Sequence, residues 1–188
     1  MEPSPTGRRT YVLVDGENID ATLGGSLLGR RPTPEERPRW ERVTQYAEAA
    51  WGQPVTGLFF LNASQGQLPM SFVQALLAMD YRPVPLSGRP DQKVVDIGIQ
   101  RTLDALVERD ADVFLCSHDA DFAAHLEELL DGTRRVGVIG LREYTSVQFS
   151  QLGIEIHDLE DDVRAFKVPL PRTKVIPLES FDPEYFLR

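Results

Sequence analysis

Residues 112–122 read DVFLCSHDADF, a short apolar run that stops at a serine and is followed by two aspartates. An apolar run of four to eight residues bounded by turn-forming residues reads as a buried strand. The residues that follow, 122–130, carry Phe122, Leu126, Leu129 and Leu130 at helical spacing. A buried strand passing directly into a helix places Asp119 and Asp121 at the strand's carboxyl end, where open α/β sheets bind ligands. Two crowded carboxylates repel each other unless a proton or a cation lies between them. A hard divalent ion meets that need, since Mg²⁺ takes oxygen donors and often only one or two protein carboxylates. The same residues also have a purely local reading, in which Ser117 or Asp119 caps the helix and the acids suit its N-terminus.

The rest of the chain repeats the unit. Strands are expected at 11–14, 55–61, 80–86, 113–116, 134–139 and 154–157, and helices at 39–51, 67–79, 93–109, 122–130 and 143–151. Alternation of this kind predicts an α/β fold: a three-layer α/β/α sandwich with a doubly wound, mainly parallel central sheet. Asp15 ends the first strand, and Gly16 is expected to let the backbone turn sharply there. Asp96 lies about a turn into the helix of residues 93–109, where its local reading is an ion pair with Lys93 or a favourable interaction with the helix dipole. If the first strand and strand 113–116 are neighbours at the switch point of the sheet, Asp15, Asp96, Asp119 and Asp121 share one edge. Such a cluster suits metal-assisted phosphodiester hydrolysis without any histidine ligand. His118, His125 and His157 have no metal-ligand spacing and read as structural or exposed.

Composition narrows the alternatives. A single cysteine, Cys116, excludes an internal disulfide framework and a cysteine-rich zinc site, and its apolar setting makes it a buried thiol. No apolar run approaches the length of a membrane span, and residues 1–10 lack the hydrophobic segment of a signal peptide, so the expected setting is soluble, cytoplasmic and reducing. A net charge of −9 argues against indiscriminate nucleic-acid binding. The one basic concentration is Arg30, Arg31, Arg37, Arg39 and Arg42, in and after a loop expected over 24–38. Arg30 and Arg31 are candidate phosphate contacts, with a solvated loop as the alternative because Glu35, Glu36 and Glu41 lie among them. Trp40 and Trp51 are expected in the core. Residues 1–9 read as disordered, residues 10–158 as the folded domain, and residues 159–188 as a proline-rich extension. The aromatic residues of that extension are expected to dock on the domain itself or on a partner protomer.

Three motifs now stand in order: V-D-G-E-N-I at 14–19, K-V-V-D-I at 93–97 and S-H-D-A-D-F at 117–122. Together they resemble the NYN-domain (LabA-like) proteins of the PIN-like nuclease superfamily, over roughly residues 10–157. The resemblance implies a Rossmann-like sandwich, a Mg²⁺ or Mn²⁺ site made of carboxylates, and ribonuclease activity with RNA as the substrate. Transferred residue by residue, it implies Asp15, Asp96 and Asp119 as metal carboxylates and Asp121 as a direct or water-mediated ligand. Asn18 would orient Asp15 or contact substrate, Lys93 would meet a phosphate, and Ser117 would stand beside the substrate. Many PIN-like sheets pair, so a homodimer is compatible with the resemblance, as is a protein partner held by the C-terminal extension. His118 departs from the family's usual glycine, which bears on backbone approach or on substrate fit. A catalytically silent module that binds a protein or RNA partner is the main alternative. A haloacid-dehalogenase-like phosphatase fits less well, since Asp15 is followed by Gly16-Glu17 and not by x-Asp. A toprim-type enzyme also fits less well, because Glu17 comes two residues late. Nucleotide-binding glycine loops are absent from the sequence.

Overall fold

A computed structural model describes residues 7–172 and 176–188; most of the segment expected to be disordered, residues 1–6, lies outside the described residues. Among the described residues there are six strands: β1 (Arg9–Val14), β2 (Val55–Asn62), β3 (Tyr81–Leu86), β4 (Ala111–Cys116), β5 (Val136–Gly140) and β6 (Glu155–Asp158). They form one sheet in the order β3-β2-β1-β4-β5-β6, and every pairing is parallel. This is a doubly wound order, with the chain reversing its direction of travel between β1 and β4. Val14 pairs with Cys116, so Asp15 and Ser117 leave the sheet side by side at the crevice.

Alternation along the strands divides the core. Val12, Val14, Phe114 and Cys116 face one side, with Trp40, Val43 and Ala47 of α2 (Trp40–Trp51). Leu13, Val113 and Leu115 face the other, with Val95, Ile99 and Leu103 of α4 (Val94–Leu106) and Leu126 of α5 (Ala123–Glu127). Both tryptophans are structural: Trp40 is buried, and Trp51 stacks on Phe114 at 3.7 Å between ring centroids. Cys116 is fully buried, and burial pushes its thiol pKa upward. The remaining helices are α1 (Gly16–Thr22), α3 (Met70–Ala78), α6 (Val147–Gln151) and α7 (Pro183–Phe186). Among the described residues, no helix is long and apolar enough to cross a membrane.

Several local expectations change. Gly16 makes no left-handed turn; it opens α1, and a Cβ there would meet the Phe59 ring at 2.6 Å. Glycine is needed for close approach and not for backbone freedom. The loop expected over 24–38 contains a π-helical segment, Leu23–Leu28, and a 3-10 turn, Pro34–Glu36. α3 starts at Met70, just past Pro69, three residues later than the periodicity suggests. The helix expected over 122–130 is shorter, because Asp119 accepts a hydrogen bond from the Asp121 N–H and sets a 3-10 turn, Ala120–Phe122, first.

Arg8 and Arg9 are ordered. Arg9 begins β1, and the Arg8 guanidinium pairs with Asp110 and Asp112. Past β6, Leu159, Val163, Ala165 and Leu170 are buried against the α2 face, so the start of the extension docks on its own domain. Arg172 clasps it through Glu143 at 2.9 Å, Glu160 at 3.2 Å and Asp158 at 3.5 Å. The Arg172→Ala variant is expected to lose about 1–3 kcal/mol of stability and to be cleaved faster by protease in the extension; limited proteolysis and urea unfolding check both.

Candidate active site

Asp15 caps α1 from the end of β1. It is almost fully buried, at 2% exposure. Its Oδ2 accepts from the Ser117 hydroxyl at 2.9 Å, and its Oδ1 accepts from the Asn18 N–H at 3.4 Å. Burial pushes its pKa up to about 6 against those two hydrogen bonds, and the charges of Asp96 and Glu17 push the same way. Ser117 has no exposed surface, so its expected place beside the substrate gives way to a supporting one. Its hydroxyl oxygen also accepts from the Asp119 N–H at 3.2 Å, linking the two strand ends.

Asp96 comes from the first turn of α4, while Asp119 and Asp121 come from the turn after β4. Each of the three brings a carboxylate oxygen to within 4.8 Å of the others. Burial raises the Asp96 pKa, as does the charge of Asp119; Lys93 opposes the rise. Asp15 is not in this triad, but it lines the same cleft as Asp96 and Asp119. The cleft is open, about 350 Å³, and its walls also include Asn18, Lys93, Glu17, Asn62 and Gln92. An all-carboxylate donor set crowded at one cleft fits a hard divalent cation.

Three polar wall residues have no site role in the sequence reading. Glu17 sits inside the first motif, and burial and Asp96 raise its pKa. Asn62 is the last residue of β2, and a polar residue at a carboxyl strand end beside the crevice was the available clue. Gln92 precedes α4 and had no distinguishing feature in the sequence.

The basic segment goes elsewhere. Arg30 forms a two-pronged pair with Glu36 at 2.6 and 2.8 Å and lines a separate depression beside Phe166 and Leu170. Arg31 is exposed and is not part of the cleft wall. Arg37 pairs with Asp20, and Arg42 donates to the Arg164 carbonyl. Acids and carbonyls nearby satisfy Arg30, Arg37 and Arg42, and among the described residues Lys93 is the cation that lines the cleft.

His118 is a buried bridge. Its Nε2 accepts from the Leu141 N–H at 2.8 Å, which fixes the proton on Nδ1, 2.9 Å from the Thr22 hydroxyl. Its own N–H donates to Asn18 Oδ1 at 2.8 Å. Burial lowers its pKa to about 4, so the ring is neutral at pH 7. The imidazole thereby ties α1 and the turn after β5 to the loop that carries Asp119.

Comparison with known proteins agrees with this geometry. The family model described as "NYN domain" matches residues 9–158. A crystal structure of a Vibrio parahaemolyticus protein of unknown function superposes with a TM-score of 0.65 at 18% identity, covering 86% of this chain and 98% of that one. At that identity the likeness is one of fold. No curated protein matches the chain. The all-parallel sheet, the acidic cluster at its switch point and the family match over most of the chain lead to one conclusion: this is a member of the NYN-domain family, within the PIN-like nuclease superfamily.

Proposed function

We propose that this protein is a metal-dependent ribonuclease that hydrolyses phosphodiester bonds. The observation that carries the proposal is the meeting of Asp96, Asp119 and Asp121, the first two of them lining the same cleft as Asp15, at the switch point of the sheet. The three carboxylates would hold Mg²⁺ or Mn²⁺. Such an ion supplies Lewis acidity, activating water for attack on phosphorus and neutralising charge on the phosphoryl oxygens. Asp15, fixed by Ser117 and Asn18 in the same cleft, would join the triad as a further metal carboxylate. Lys93 is the side chain assigned to a substrate phosphate. His118 acts as a neutral positioning residue for the Asp119 loop.

The extension supports the expectation of a macromolecular partner or a second copy. Leu178, Phe181, Tyr185, Phe186 and Leu187 are all exposed there.

The test is cleavage of labelled RNA in Mn²⁺, Mg²⁺ and EDTA by the wild type and by Asp119→Asn, purified side by side. Cleavage that requires metal and falls at least about 100-fold in the variant is the expected result. Equal activity in the two proteins, or none in the wild type together with no Mn²⁺-dependent rise in melting temperature, would overturn the proposal. The second outcome favours a silent binding module.

A further inference from the structure

The cleft contains three side-chain amides, and all three are committed in the same sense. Asn18 Oδ1 accepts from the His118 N–H at 2.8 Å. Asn62 Oδ1 accepts from the Ser64 N–H at 3.0 Å. Gln92 Oε1 accepts from the Arg89 N–H at 2.8 Å. A backbone N–H can pair only with the oxygen of an amide, so each amide orientation is fixed by its partner. Every amide oxygen is thus occupied. Among the described residues, none of the three NH₂ groups has an acceptor. The Lys93 ammonium likewise has no carboxylate within salt-bridge distance among the described residues.

Asn62 and Gln92 are also held rigidly relative to each other. The loop after β2 and the loop after β3 are joined by Ala63 N–H to the Leu86 carbonyl at 2.6 Å and by Gly88 N–H to Ser64 Oγ at 3.1 Å. Gly88 is packed so closely that a Cβ there would lie 2.6 Å from Gln92 Oε1. The two amides therefore sit on one double loop beside the acids, a preorganised arrangement that reduces the ordering cost of binding.

We infer that Asn62 and Gln92, with Lys93, form the subsite that binds a phosphate of the single-stranded RNA next to the bond being cut. The inference rests on the nuclease reading. A row of donors without acceptors matches phosphate oxygens, which only accept. It also explains how a chain of net charge −9 holds a polyanion: neutral amides supply hydrogen bonds where the acids leave little room for more cations. Binding through one lysine releases few counterions, so log affinity falls with log salt at a slope of about −0.7, the value for one cationic contact to a single strand. A basic groove of five contacts would give about −3.5.

The variants Asn62→Asp and Gln92→Glu test the subsite. Each keeps the oxygen that accepts from its loop N–H, so the loops hold, while the NH₂ donor is replaced by a repelling oxygen. Steady-state cleavage of a labelled single-stranded RNA decamer in Mn²⁺ is expected to show KM raised about 10-fold or more in each variant. The expected kcat stays within about threefold. The Mn²⁺-induced rise in melting temperature is expected to be undiminished, since the metal carboxylates are intact. For the wild type, KM should follow salt with the shallow slope above. A wild type that cleaves with KM unchanged in both variants, or with a salt slope near −3.5, overturns the subsite and leaves the nuclease standing. A wild type that does not cleave overturns both. Equal KM losses accompanied by a lost Mn²⁺ shift would place the two residues in the metal site and overturn the phosphate assignment.

Discussion

Replacing Asp15 by asparagine is expected to make the metal-free protein more stable while abolishing its activity. Asp15 is buried, and its folded pKa of about 6 lies above the unfolded value of about 3.9. Between those values the folded state keeps a proton that the unfolded state has lost, so stability falls as pH rises through the window of about 4 to 6. Above it both states are ionised and the full cost of about 3 kcal/mol is present. Asparagine is nearly isosteric: its oxygen can accept from the Asn18 N–H and its NH₂ can donate to Ser117 Oγ, with the loss of the Ser117 hydroxyl proton's acceptor offsetting part of the gain. In EDTA at pH 8 the melting temperature of Asp15→Asn should rise by about 5–10 °C; at pH 4 the gain should vanish. Metal-dependent cleavage should fall at least about 100-fold. A variant that is less stable than the wild type at pH 8 would mean that the Ser117 and Asn18 hydrogen bonds outweigh the burial of the charge. His118 acts in the opposite sense. Its folded pKa of about 4 lies below the ordinary value, so it contributes stability near neutrality that is lost as pH falls from about 6.5 towards 4. With the Asp15 contribution removed, the variant should show a steeper loss on acidification than the wild type.

The second large effect is expected at the opposite end of the sheet. Asp112 is buried near the start of β4. It accepts from Gln53 Nε2 at 2.7 Å, from the Arg135 N–H at 2.8 Å and from Arg8 Nη1 at 3.3 Å. Gln53 in turn donates to Thr10 on β1 at 2.7 Å, and Thr10 pairs with Asp112 across the sheet. Asp112→Ala strips the acceptor from this group and leaves buried donors unpaired, a loss of about 3–5 kcal/mol and roughly 10 °C in melting temperature. The strand separates Asp112 from Asp119 by roughly 15–20 Å, so the Mn²⁺ shift and the activity per folded molecule should survive. Thermal melts with and without Mn²⁺, paired with an RNA cleavage assay below the melting transition, measure both. A variant that melts normally would show that the network is dispensable. One that loses the metal response at full stability would show that the two ends of the sheet are coupled.

How much of this was legible in the sequence follows from the range of the interactions involved. The α/β alternation, the parallel sheet and the carboxyl-end positions of Asp15 and Asp119 come from hydrophobic periodicity, which is local. The proximity of β1 and β4 follows from how doubly wound sheets are built, and the pairing of Val14 with Cys116 realises it. The motifs then carried the family. Element ends were less legible, because side-chain capping decides them. Asp119 shortens the helix after β4 through its bond to the Asp121 N–H, and Pro69 delays α3.

Partnership between distant side chains was decided only by the tertiary structure. Charge along the sequence left residues 30–42 with two readings, a phosphate contact or a solvated loop partly neutralised by its own glutamates. In the fold, Glu36 and Asp20 neutralise Arg30 and Arg37, because screening by near neighbours depends on distances in space. Ser117 looked like a substrate contact by its place in the motif, but burial turned it into the support that joins Asp15 to Asp119. The donor-only amides are the clearest case. Asn62 and Gln92 are ordinary polar residues in the sequence, and whether each offers an acceptor or a donor depends on which backbone N–H its oxygen meets after folding. The sequence by itself determined the layers and the placing of the acids beyond the carboxyl ends of β1 and β4. Only the folded chain decided which polar atoms are already satisfied and which remain for a ligand.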